Sequence, residues 1–304
     1  MISIIGTGKV GVGIAFLCAS NGLDDILLIN RTKAKAIGES LDIVNSIPAT
    51  SQFSIHGTDD YSKLSGSKIV VISASVSIYL KNRVENLDLQ VNMIRDIAKK
   101  IKQYCPSAIV LIVSNPLDVL TYFFHKESQL NRFKVIGIAS SLDTSRFHHF
   151  LSEKFKVPLS SISNTLVLGE HGDTMVPIFS NILINDTPLL SMINEHEIDI
   201  MTNNVRNYWE VLRKYKSRSQ FGIAKKTYDV IETIINSKEL EIPAAVVLKG
   251  EYGEKDVSMG IPVKINSEGI IEIQKISINE KELVLLKKSS NQIRNNIKSV
   301  QIQV

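Results

Sequence analysis

His171 stands between two glycines in Gly169-Glu-His171-Gly172-Asp173, directly after the apolar run Leu166-Val167-Leu168. A neutral imidazole at the end of a buried strand is the residue type that moves a proton near neutral pH. The flanking glycines permit a tight turn and a close approach by another group. Upstream, Ser141-Leu-Asp143-Thr-Ser-Arg146-Phe reads as a helix. Asp143 and Arg146 are three apart and project from one helix face. The carboxylate can hold an imidazole tautomer, and the guanidinium can grip an anion in a planar two-point contact. A third group of residues opens the chain: Gly6-Thr7-Gly8-Lys9-Val10-Gly11, between an apolar strand over 1–5 and an apolar helix over 12–20. Gly6 permits the turn, Gly8 lets a pyrophosphate approach the backbone, and Gly11 lets the helix pack on the strand. The helix N-terminus then offers N–H groups to phosphates. Singly, these are also a structural histidine, a helix salt pair and a tight turn. Jointly they suit oxidation of a 2-hydroxy acid, which needs a base for the hydroxyl proton, a carboxylate clamp and a hydride acceptor.

The elements that must position these residues follow from hydrophobic period. Apolar runs at 26–29, 53–56, 68–72, 108–113 and 135–138 predict strands. Helices are predicted over 33–47, from the loop 76–84 to about 104, over 119–126 and over 141–150. Strands alternating with helices argue a doubly wound parallel sheet covered on both faces. Ligands of such sheets bind at the carboxyl ends of the strands, where Ser73, Asn115 and the glycine loop gather. Beyond 184 the alternation breaks. Helices at 205–215, 221–236 and 279–298, with strands at 246–248, 259–265 and 270–273, predict a second α+β domain. The expected division is 1–142 for dinucleotide binding and 143–304 for substrate.

The whole-chain totals narrow the function classes. A chain of 304 residues is one large or two medium domains, and 44% hydrophobic with 22% charged residues is ordinary globular composition. The formal charge of +4, with signs interleaved, suits small anionic molecules rather than nucleic acid. Cys18 and Cys105 lack metal-ligand spacing, which argues against a metal site or disulfide framework and for a reducing compartment. The segment 1–5 is too short, and too soon interrupted by glycine, for a signal peptide or membrane span. A cytoplasmic location is therefore expected.

GTGKVG, VSNPLD, SLDTSRF and GEHGDTMVP occur in the order and at the spacings of the lactate/malate dehydrogenase family, which the chain resembles over nearly its whole length. The resemblance implies a doubly wound Rossmann sheet with a second α+β substrate domain. It implies His171 as catalytic acid/base, Asp143 as its partner and Arg146 as the carboxylate clamp. Asn115 would contact substrate oxygen and cofactor, with its bond to Pro116 cis, and Arg83 would polarise the substrate carbonyl from a mobile loop. The implied cofactor set is Gly6, Thr7, Gly8, Lys9, Val10, Gly11, Asn30, Arg31, Ser73, Ala74, Gln90, Val113 and Asn115. A homodimer or homotetramer is the implied assembly.

Two departures bear on specificity. The loop Val76-Ser-Ile-Tyr-Leu-Lys-Asn-Arg83 has neither the early arginine of malate enzymes nor the glutamine of lactate enzymes. Ser77 stands near that position and cannot pair with a carboxylate. Lys81 and Arg218 are alternative cations, and Ser219 falls at a family substrate-pocket position. At the end of the second strand, Asn30-Arg31 replaces the acidic residue that usually holds the adenosine ribose. That removes repulsion against a 2′-phosphate and offers a guanidinium, tilting the choice between NAD and NADP slightly toward NADP. Malate/oxaloacetate is the first expected substrate, with lactate or a bulkier apolar acid second. An NAD-dependent glycosidase of related fold would want a Cys/His metal site, which is missing from the sequence. A non-catalytic NAD(P)-binding module is the alternative of another class.

Overall fold

Four short strands carry the first half of the molecule: β1 (Ile2–Ile5), β2 (Ile26–Ile29), β4 (Ile69–Ile72) and β5 (Ile109–Ile112), in each of which every residue is buried. Continuous apolar runs without in/out alternation are what a parallel sheet covered on both faces requires. A computed structural model describes residues 1–76, 86–217 and 219–301. Between and after those strands lie α1 (Lys9–Ser20), α2 (Lys33–Ile43), β3 (Ile55–Thr58), α3 (Leu87–Tyr104), α4 (Leu117–Ser128) and β6 (Val135–Gly137). The second half follows with α5 (Ser140–Phe155), β7 (Ile162–Ser163), β8 (Leu166–Leu168), β9 (Val176–Ile178), β10 (Leu183–Ile184) and β11 (Thr187–Pro188). The chain continues through α6 (Glu195–Tyr215), α7 (Phe221–Ile235), β12 (Leu240–Lys249), β13 (Lys255–Asn266), β14 (Gly269–Ile273) and α8 (Glu280–Gln301).

The main sheet runs β14-β13-β12-β6-β5-β4-β1-β2-β3. Its strands β1 to β6 are parallel, as the alternation predicts. The antiparallel meander of the second half joins the same sheet, where Ala245 of β12 pairs with Gly137 of β6. A Cβ at Gly137 would come within 2.8 Å of the Ala245 Cβ and the Thr121 hydroxyl, so the seam depends on the missing side chain. A second, smaller core gathers Phe147, Leu151, Val167, Met175, Phe179, Met201 and Val205. Helix α5 belongs to both: Leu142 packs in the main core, Phe147 and Leu151 in the second. Asp143 and Arg146 therefore sit where the two cores meet.

The predicted elements are present in type and differ at their ends, while the short strands β7, β9, β10 and β11 were not predicted. The helix predicted over 33–47 stops at Ile43 and gives way to a 3-10 turn, Val44–Ser46. Pro48 excludes the α conformation at Ile47, which is extended at φ −71°, ψ 129°. Helix α6 begins well before 205, because Asn194 and Glu197 close a capping box. Strands β12 and β13 extend past Pro243 and Pro262, which lie opposite one another in the hairpin. Among the described residues, no helix is long and apolar enough to cross a membrane, and no group of His, Cys, Asp and Glu could hold a metal ion.

Candidate active site

The glycine loop follows β1 directly. Gly6 has φ +102°, and a Cβ there would lie 2.6 Å from the Ala74 backbone nitrogen, so the loop can pass the end of β4 only as glycine. A Cβ at Gly11 would meet the Gly6 carbonyl oxygen at 2.0 Å, which fixes how closely α1 packs on its own loop. Gly8 faces open space and caps α1 without a side-chain hydrogen bond, leaving the first-turn N–H groups for an incoming anion. These features fit a dinucleotide's pyrophosphate. Thr7 is buried, and its hydroxyl accepts from the Asn30 amide at 2.7 Å; Asn30 Oδ1 in turn accepts the Thr32 N–H at 2.9 Å. The loop and the end of β2 are thus tied to each other, with Arg31 exposed beside them. Lys9, also exposed, directs its Nζ to the Ser217 hydroxyl at 3.5 Å.

His171 is carried past the end of β8 by a segment fixed at three points. Gly169, at φ +86°, exchanges backbone hydrogen bonds with Gly260 of β13 at 2.8 and 2.9 Å. The Glu170 N–H donates to Ser289 Oγ of α8 at 2.7 Å, and the His171 N–H donates to Asp118 Oδ2 of α4 at 2.8 Å. The ring is then aimed by α5. His171 Nδ1 lies 2.5 Å from Asp143 Oδ2, and Arg146 Nη1 donates to Asp143 Oδ1 at 2.9 Å. One carboxylate, 1% exposed, thus holds both the imidazole and the guanidinium. With Nδ1 committed to a carboxylate, the neutral ring carries its proton there and its lone pair on Nε2. The other face of Arg146 is backed by the Tyr208 ring, whose centroid is 4.7 Å from the guanidinium carbon.

A cavity of about 300 Å³ joins these groups. It is lined by Val10, Ser73, Ala74, Val113, Asn115, Arg146, His171 and Ser219, all singled out in the sequence. Asn115 precedes a cis peptide bond to Pro116, and its Oδ1 is buried with no hydrogen-bond partner among the described residues. An acceptor so placed suits a ligand donor. Asp143 lies behind His171 rather than on the cavity wall. Gln90 is fully buried at the start of α3; its amide donates to Ser75 Oγ at 3.0 Å and accepts the Val76 N–H at 3.3 Å. It supports the end of β4 from behind. Ser77, Lys81, Arg83 and Arg218 lie outside the described residues.

Sequence reasoning missed two contributors. Asp118 sits in the first turn of α4, buried, where an acidic residue one turn after the Asn-Pro step was the available signal. Helix α6 supplies Trp209, Leu212 and Arg213 to the lining of the cavity. The chain's single tryptophan in a largely polar helix was the signal there.

Family models match the chain as the lactate/malate dehydrogenase NAD-binding domain over residues 1–137 and as the lactate/malate dehydrogenase α/β C-terminal domain over residues 140–304. The chain belongs to the lactate/malate dehydrogenase family. The dinucleotide half is therefore an NAD-binding domain, and the family's oxidoreductase chemistry is that of 2-hydroxy and 2-oxo acids. Within the family, a malate dehydrogenase of Ehrlichia canis (strain Jake) is 31% identical over 308 residues, covering 98% of either protein. The lactate dehydrogenase of Cryptosporidium parvum, solved with lactic acid and nicotinamide adenine dinucleotide, superposes with a TM-score of 0.94 at 32% identity, over 99% of this chain and 97% of that one. The malate dehydrogenase of Aeropyrum pernix superposes with a TM-score of 0.92 at 30% identity, over 100% and 99%. Lactate and malate members of the family are thus about equally similar to this chain.

Proposed function

We propose that the protein transfers a hydride between a nicotinamide dinucleotide and a small 2-hydroxy/2-oxo acid, with malate/oxaloacetate as the substrate pair. The observation that carries this is the sharing of Asp143 between His171 and Arg146 at the edge of one cavity with Asn115. Residues 1–142 bind the dinucleotide and 143–304 supply the proton-transfer and carboxylate-binding groups. When bound, the cofactor supplies the carbon that accepts or gives hydride. All other tasks belong to the chain. Arg146 holds the substrate carboxylate, which fixes the reacting carbon in the cavity. His171 Nε2 takes the hydroxyl proton in oxidation and returns it in reduction. Asp143 holds the ring's tautomer and stabilises the imidazolium that forms. Asn115 hydrogen-bonds substrate oxygen and cofactor, Ser219 lines the substrate side, and Arg83 polarises the carbonyl.

The test is a set of initial rates of reduced-cofactor oxidation with oxaloacetate, pyruvate and 2-oxoisocaproate. A kcat/KM advantage for oxaloacetate of at least about tenfold, or roughly 1.4 kcal/mol, is the expected result. Equal or better use of pyruvate or the branched acid overturns the malate assignment and favours the lactate-type reading, which the apolar Leu212 and Ile223 on the cavity wall would suit. No turnover of any of the three favours a non-catalytic NAD(P)-binding module.

NADP is the cofactor favoured by Asn30 and Arg31. The Asn30 amide is engaged by Thr7 and Thr32, and no carboxylate at that position opposes a 2′-phosphate. The NADPH/NADH ratio of kcat/KM should exceed one and fall about tenfold in Arg31→Ala; a ratio below one makes NAD the physiological choice.

Self-association as a homodimer or homotetramer is supported by Phe16 and Phe221, 49% and 70% exposed, at an open apolar hollow between α1, α2 and α7. Light scattering on the eluted protein at micromolar concentration tests it, a monomer mass being the contrary result.

A further inference from the structure

The cavity has two walls of different origin. One carries Arg146, His171 and Asn115; the other is the last part of α6. Along that helix, Met201 and Val205 are 1% and 4% exposed and anchor it in the second core. The same face then runs on, four residues at a time, to Trp209 and Arg213, beyond the edge of the core and over the cavity. The Arg213 guanidinium carbon is 5.3 Å from the Trp209 ring centroid, so the indole gives the cation a flat apolar support at the cavity wall. Arg146 is bonded to Asp143 and directed at the substrate's first carboxylate. The cavity therefore carries a second guanidinium, contributed by α6. The loop from Val76 to Arg83 has no arginine at its early position to read a distal group.

We infer that Arg213, supported by Trp209, is the specificity-determining residue that reads the second anionic group of a dicarboxylic 2-oxo acid, from helix α6 rather than from the loop after β4. This rests on the dehydrogenase reading above. A guanidinium matches a carboxylate at two points, whereas an ammonium meets it as a point charge, so arginine and lysine differ here. A dicarboxylic substrate gains a charge-assisted contact at Arg213 that a monocarboxylic one cannot make, and that difference is how the site discriminates.

The experiment compares the intact protein with Arg213→Met and Arg213→Lys, measuring kcat/KM for oxaloacetate and for pyruvate with the same reduced cofactor. Cofactor affinity by fluorescence titration reports on folding of each variant. The expected result is an oxaloacetate/pyruvate selectivity about 100-fold lower in Arg213→Met, mostly through KM, and partly restored in Arg213→Lys. An unchanged selectivity in Arg213→Met overturns the assignment while leaving the dehydrogenase reading standing. So does a parent protein that prefers pyruvate. A parent that reduces neither acid removes the dehydrogenase reading itself, and this inference with it.

Discussion

Asp118, in the first turn of α4, accepts the backbone N–H of His171 at 2.8 Å. The two residues belong to different halves of the chain, and the bond fixes the histidine's backbone while Asp143 fixes its ring. Asp118 touches no reacting atom in the proposed chemistry; it is a positioning residue. Asp118→Ala should lower kcat by roughly 10- to 100-fold, since small displacements of a proton-transfer group are costly. Leaving the His171 N–H unpaired should also cost about 1–3 kcal/mol of stability. Asp118→Asn retains an acceptor and should recover most of the rate. Equal losses in Ala and Asn variants, with KM unmoved, would remove the positioning role.

Replacing the proposed proton carrier separates chemistry from binding. His171→Asn should lower kcat by roughly 10²- to 10⁴-fold while reduced-cofactor affinity stays within about twofold. Asp143→Asn should also lower kcat, and its KM for the 2-oxo acid should rise because the same carboxylate orients Arg146. Stopped-flow single turnovers would check both. Retained turnover in His171→Asn would assign the proton to another group.

Stability should depend on the Arg132–Glu251 pair in acid. The Arg132 guanidinium donates to both Glu251 oxygens, at 3.2 and 2.6 Å, and lowers its pKa from the ordinary 4.5 to about 2. A depressed carboxyl pKa contributes stability that is fully present above 4.5 and is lost as pH falls toward 2. Glu251→Gln should therefore be less stable than the parent at neutral pH, by about 1 kcal/mol after allowance for solvent screening. That gap should close between pH 4.5 and 2 in parallel urea titrations. A constant gap would mean that the loss comes from packing.

Both thiols should be inert in the folded protein. Burial pushes the Cys18 thiol up to about 12 and Cys105 up to about 11, so little thiolate exists at pH 8. Ellman's reagent should react with neither on the minutes scale and with both in guanidinium chloride. Fast reaction of one thiol in the native state would show that its surroundings open.

The sequence made the parallel half of the sheet legible because its strands are unbroken apolar runs and its glycines are required by close backbone contacts. The same holds for the proposed proton-transfer group: His171, Asp143 and Arg146 are recognisable from residue type, local spacing and order along the chain. Local signals were weaker at element ends. The capping box at Asn194 and Glu197 was present in the sequence, ahead of apolar residues at helical spacing (Ile198, Met201, Val205, Leu212), yet the predicted helix began only at 205. The strand predicted over 246–248 in fact starts at Leu240 and runs through Pro243, whose pairing with Pro262 across a hairpin is not visible in either strand alone.

What the sequence by itself determined is the set of local conformations and the chemical types at the strand ends, since these depend on neighbours in the chain. Three relationships were decided only in tertiary structure. The antiparallel strands of the second half extend the first half's sheet through the Gly137–Ala245 contact. Asp118 and Ser289 hold the segment of His171 from two helices distant in sequence. Trp209 and Arg213 reach the cavity because Met201 and Val205 anchor α6 in the second core and set which face turns inward. Each depends on packing between segments far apart in the chain, and residue spacing carries no information about that distance.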